Sequence, residues 1–168
     1  MWWSAAAKLG LEHKPTISFD FDDVLHYAPG GNPINFWEWE SWVPREPYVS
    51  ELRRLADEGH RIIIVSHRDP GMEGSVEAFA EAHDLPVDAI YCVGIYGSKL
   101  RALEDEDART HYDDSPAVAS ELRGSGVELI EVPRTDEYDL SWVPEDVWVR
   151  FPEIYGHYAD MAGLPRPA

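Results

Sequence analysis

A chain of 168 residues with 44% apolar side chains can bury one sizeable core and is too short for two ordinary domains. Its formal charge of −18, from 32 acidic against 14 basic residues, argues against a surface built to track a long polyanion, because phosphate contacts need Lys and Arg. No run of eighteen apolar residues occurs, and residues 1–11 lack the basic flank and apolar length of a signal peptide, so the expectation is a cytoplasmic protein with no membrane partner.

Only three lysines occur, Lys8, Lys14 and Lys99, against eleven arginines. An acidic, lysine-poor surface is what a high-salt cytoplasm favours, and a GC-rich genome also enriches Arg over Lys. The single cysteine, Cys92, lies in an apolar run, which predicts a buried, inert thiol.

From Pro15 the chain alternates short apolar runs with amphipathic segments, the pattern of strands and crossover helices in a parallel sheet. Residues 16–21 (TISFDF) read as a first strand. Residues 47–58 put Val49, Leu52 and Leu55 at helical spacing, with Pro47 suited to the first turn and Gly59 to the stop. Residues 61–65 (RIIIV) are the near-continuous apolar run of a central strand covered on both faces. A helix over 74–83, a strand over 88–93, a short helix over 98–103, a strand over 110–114, a helix over 116–122 closed by Gly124 and a strand over 127–132 complete the alternation. The fold class is therefore α/β, a Rossmann-like parallel sheet of about five strands flanked by helices. Residues 15–133 form the domain, 1–14 an extension and 134–168 a tail expected to pack on it. Residues 26–45, rich in Gly, Pro and Trp, interrupt the pattern as a flap.

Asp20, Asp22 and Asp23 fall at the exit of the first strand, and Asp113 and Asp114 at that of the fourth. Right-handed crossovers put all the carboxyl ends on one edge of the sheet, where open α/β sheets bind ligands. Five carboxylates there repel one another unless a cation sits among them. Mg²⁺ takes oxygen ligands and keeps several waters, so two carboxylates and a carbonyl suffice. Taken singly, Asp22 and Asp23 also suit a turn, and Asp113 and Asp114 before Ser115-Pro116 suit a helix cap.

Four short motifs in order resemble those of the haloacid dehalogenase superfamily of phosphohydrolases: Asp20-Phe21-Asp22-Asp23-Val24-Leu25 after an apolar strand, Ile62-Ile63-Ile64-Val65-Ser66, Lys99, and Thr110-His111-Tyr112-Asp113-Asp114. The resemblance implies that Asp20 attacks phosphorus and forms an aspartyl-phosphate, while Asp22 protonates the leaving oxygen and later activates water. Such a role calls for an Asp22 pKa above that of its neighbours. It implies Mg²⁺ on the Asp20 carboxylate, the Asp22 carbonyl and the Asp114 carboxylate, with Asp113 in support. Ser66 would bind a phosphoryl oxygen and Lys99 would neutralise that oxygen and the nucleophile. Asp23 stands where the family often has Gly, and the turn there need not be left-handed.

Arg68 and His67, on the loop after Ser66, are candidates for phosphate binding, while His26 can equally face solvent. The gaps between motifs leave room for no large cap domain. Phe36, Trp37, Trp39 and Trp42 crowd the flap, where Trp37 and Trp39 can stack a base or leaving group, or the cluster can plug the flap onto the sheet or onto a second copy of the chain. The layout resembles small nucleotidase-like and polynucleotide phosphatase-like members, including viral ones. The expected substrate is thus a phosphomonoester, a nucleotide or nucleic-acid end. A sugar or other metabolite phosphate, and an idle binding module, are the alternatives.

Overall fold

The computed structural model describes residues 14–27, 40 and 42–133. Five parallel strands, β1 (Thr16–Phe19), β4 (Ile62–Ser66), β5 (Ala89–Cys92), β6 (Ala108–Asp113) and β7 (Glu128–Glu131), form one sheet in the order β5-β4-β1-β6-β7. Four helices connect them: α1 (Tyr48–Asp57), α2 (Glu73–Ala82), α3 (Lys99–Asp105) and α4 (Pro116–Leu122). Two short strands, β2 (His26–Tyr27) and β3 (Val43–Pro44), pair antiparallel and join the two ends of the flap. The expected strands and helices all occur, with boundaries moved by a residue or two.

The two faces of the sheet follow from the period of two along each strand. In β4, Ile62 and Ile64 turn to the face covered by Val49, Leu52 and Leu55 of α1 and Val76, Phe79 and Ala80 of α2. Ile63 and Val65 turn to the opposite face, with Leu103 of α3 and Val118 and Leu122 of α4. These four apolar residues of β4 are fully buried, as the uninterrupted apolar run predicts for a strand inside a parallel sheet. Gly59, with φ +97°, ends the turn after α1 in a conformation that favours glycine.

Trp42 packs into the core against Phe21, Phe79 and the His26 ring, which it stacks at 4.5 Å. This end of the flap is a plug on the sheet. No helix among the described residues is long and apolar enough to cross a membrane.

Candidate active site

The chain runs from β1 outward through β4 to β5, then returns to the other side of β1 as β6 and β7. β1 and β6 therefore flank the point where the winding reverses, the place at which open α/β sheets leave a crevice beyond their carboxyl ends. Asp20 and Asp113 occupy those ends, and the Asp20 amide donates to Tyr112 O at 2.8 Å, extending the ladder to the last residue before the crevice.

Asp20 is 3% exposed. Its Oδ1 accepts the Phe21 amide at 2.8 Å and lies 2.9 Å from Lys99 Nζ. The same ammonium donates to Asp113 Oδ2 at 2.7 Å, so one buried lysine bridges two strand ends. Burial works against its charge, but Asp113 and Asp20 outweigh that and hold Lys99 above the ordinary lysine range. Lys99 opens α3, which Ser98 caps by accepting the Arg101 amide at 3.1 Å. Gly97 makes this approach possible, since a Cβ there would lie 1.9 Å from Val93 O.

Oxygens of Asp20, Asp113 and Asp114 lie within 4.8 Å of one another. Burial, then Asp113, with Asp114 and Asp22 adding, push the Asp20 carboxyl well above the usual range, and Lys99 only partly opposes them. The cluster is thus short of positive charge, and an all-oxygen donor set of this kind suits a hard dication such as Mg²⁺. Asp113 is held elsewhere: Oδ2 also meets His111 Nε2 at 2.8 Å, and Oδ1 accepts the Ser115 amide at 2.9 Å.

Asp22 differs from expectation. Its Oδ2 accepts Arg68 Nε at 2.9 Å, its Oδ1 accepts Arg68 Nη2 at 2.7 Å, and His26 Nε2 lies 3.1 Å from Oδ1. Burial opposes the charge, but Arg68 and then His26 hold the Asp22 carboxyl well below the usual range, the reverse of the raised value expected. Arg68, expected to face a phosphate, is 4% exposed, turns its guanidinium to Asp22 and lies over the rings of Trp42 at 4.4 Å and Phe21 at 5.2 Å. Ser66 Oγ accepts the Arg68 amide at 3.1 Å, which sets the loop after β4. His67 is half-buried.

The turn after Asp22, which the sequence leaves open, is left-handed: Asp23 has φ 58°. Aspartate is among the few residues other than glycine that tolerate this region, and Arg45 donates to Asp23 O while lying 4.0 Å from its carboxylate. His26 does not face solvent, being 4% exposed. Two site neighbours were hidden in the sequence, His26 and His111, although the spacing of His26 four residues past Asp22 and of His111 two before Asp113 is the signal that points to each. Trp37 and Trp39 lie outside the described residues.

The fold is shared with solved structures. A chain of the Pnkp1/Rnl/Hen1 RNA repair complex aligns with TM-score 0.62 and 16% identity over 74% of this chain and 45% of that one. A chain from a second structure of the Pnkp1/Rnl/Hen1 complex gives 0.61 and 18%, over 74% and 48%. Against both, this chain spans about half the length of its match. The class C acid phosphatase from Bacillus anthracis with tungstate bound aligns with TM-score 0.53 and 17% identity, over 90% of this chain and 84% of that one. No protein-family model and no curated protein matches the sequence.

Proposed function

We propose that the chain is a Mg²⁺-dependent phosphatase of the haloacid dehalogenase type that hydrolyses a phosphomonoester through an aspartyl-phosphate on Asp20. The observation that carries this reading is the Lys99 ammonium, 2.9 Å from Asp20 and 2.7 Å from Asp113, beside a third carboxylate at the reversal point of the sheet. The likeness in fold to a phosphatase that binds tungstate, a tetrahedral oxyanion, supports it.

In the first step an Asp20 oxygen attacks phosphorus, the bond to the leaving oxygen breaks, and the Asp22 carboxyl gives that oxygen its proton. In the second, Asp22 takes a proton from water, the water oxygen attacks phosphorus, and the bond to Asp20 breaks to release phosphate. The depressed pKa of Asp22 keeps it ionised, the form in which it can accept a proton in the second step. A phosphoryl dianion arriving beside it raises that pKa, because like charge disfavours the carboxylate, and so prepares the first. Arg68 and His26 orient Asp22 in both. Asp20 and Asp114 carboxylates with the Asp22 carbonyl would hold Mg²⁺, which when bound offsets the charge on the phosphoryl oxygens. Ser66 and Lys99 contribute donors to those oxygens.

Trp37 and Trp39, on the segment between β2 and β3, are assigned to the leaving group. A nucleotide or nucleic-acid end is the preferred class, and the likeness to RNA repair chains favours it over a sugar phosphate. The charge of −18 favours a short substrate over a long polymer. The test is hydrolysis of nucleotides, sugar phosphates and phosphorylated oligonucleotides with Mg²⁺ at low and high salt. Turnover of a nucleotide or short oligonucleotide end supports the reading. Turnover of no phosphomonoester overturns it and leaves a binding module.

A further inference from the structure

Ser18, His111 and Asp113 form a polar column on the sheet face otherwise built from Ile63, Val65 and Ala108. Ser18 and His111 are register partners across β1 and β6, and both are 0% exposed. Apolar residues would satisfy packing there, and burying two polar side chains is unfavourable unless each is bonded. Each is: Ser18 Oγ lies 2.9 Å from His111 Nδ1, and His111 Nε2 lies 2.8 Å from Asp113 Oδ2. A carboxylate only accepts, so Nε2 carries the proton, and Nδ1 then accepts from the Ser18 hydroxyl. The pair fixes one tautomer and one ring orientation, the arrangement by which an outer partner orients a working group.

We propose that His111, set by Ser18, is a positioning residue: it locks the Asp113 carboxylate in the orientation that holds Lys99 Nζ against Asp20. Three fixed donors, from His111, Lys99 and the Ser115 amide, leave Asp113 no freedom to rotate. The chain Ser18, His111, Asp113, Lys99, Asp20 thus carries the rigidity of the sheet centre to the nucleophile. For catalysis this rests on the phosphatase reading above. The effect on Lys99 does not.

The test pairs two readouts on His111→Leu, of similar size but without donors, and His111→Gln, whose amide can donate where Nε2 does. The first is the ¹⁵N–¹H signal of the Lys99 ammonium, assignable because the chain has three lysines. The second is kcat and KM for p-nitrophenyl phosphate with saturating Mg²⁺. In His111→Leu the Lys99 signal should shift or vanish by exchange while kcat falls about 10- to 100-fold, with KM changed less than about 3-fold, and His111→Gln should restore most of both. An unmoved Lys99 signal with wild-type kcat in His111→Leu overturns the proposal. Wild-type protein that turns over nothing, with a Lys99 signal that still depends on His111, overturns the phosphatase reading and keeps the positioning role. Should His111→Leu fail to fold, His111→Asn, too short to reach Asp113, is expected to give the same losses, and wild-type behaviour there overturns it.

Discussion

Arg68 grips Asp22 with two nitrogens on two different oxygens, Nε at 2.9 Å and Nη2 at 2.7 Å, while its guanidinium lies against the rings of both Trp42 and Phe21. The planar fork, which meets a carboxylate with two bonds and lies flat on an aromatic face, is what lysine lacks. Arg68→Lys should therefore lower turnover of substrates with poor leaving groups more than of those with good ones, since Asp22 loses its fixed direction as acid. A uniform loss on all esters would mean that Arg68 acts on the phosphoryl group instead. Arg68→Met should destabilise the fold by about 2 kcal/mol or more in urea unfolding; removing one partner of a buried pair costs about 3–5, discounted here for solvent at Asp22.

Gly97→Ala should disturb Lys99 from a distance. A Cβ at 1.9 Å from Val93 O cannot be absorbed by a side-chain rotation, so the backbone ahead of α3 must move. A stability loss of roughly 2 kcal/mol or more is expected, together with reduced kcat. Wild-type stability and kcat in this variant would contradict the close approach at Val93.

Asp114→Asn separates the two acids of the fourth motif. Asp113 is fully engaged by Lys99, His111 and Ser115, so Asp114 is the residue whose loss should act on the metal. The Mg²⁺ concentration giving half-maximal activity should rise about 10-fold or more, with part of kcat recovered at saturation. An unchanged Mg²⁺ dependence would remove Asp114 from the ligand set.

Cys92 is 7% exposed, and burial, with Glu73 adding, pushes its thiol up to about 12. Only the thiolate reacts with a disulfide reagent. The native protein should therefore show no prompt reaction with Ellman's reagent at pH 8 and one equivalent after unfolding in guanidinium. Prompt native reaction would place the thiol at the surface.

The sheet was legible because its signals are local. The Ile62–Ser66 run, the three-residue spacing of Val49, Leu52 and Leu55, and the Ser115-Pro116 helix start each lie within a dozen residues. The carboxylates at the strand ends were legible for the same reason. The low pKa of Asp22 is not legible in the sequence because Arg68, the main partner that lowers it, lies 46 residues away. The turn at Asp23 is open in the sequence because aspartate and glycine share the left-handed region, so replacing one with the other does not decide the turn type. The β2–β3 pair escaped because strands of two residues carry no periodicity. The place of His111 does not show in its motif, since only its register partner Ser18, 93 residues away, reveals the column beneath Asp113.

The central claim is a covalent phosphoryl group on Asp20, and acid quenching during turnover of a ³²P-labelled phosphomonoester with Mg²⁺ tests it most directly. Label should remain on the wild-type chain in a linkage broken by hydroxylamine, map to the peptide containing Asp20, and be absent in Asp20→Asn, whose amide fills the same space but cannot attack phosphorus. Turnover by Asp20→Asn near the wild-type rate, or label mapping to another residue, would contradict the account.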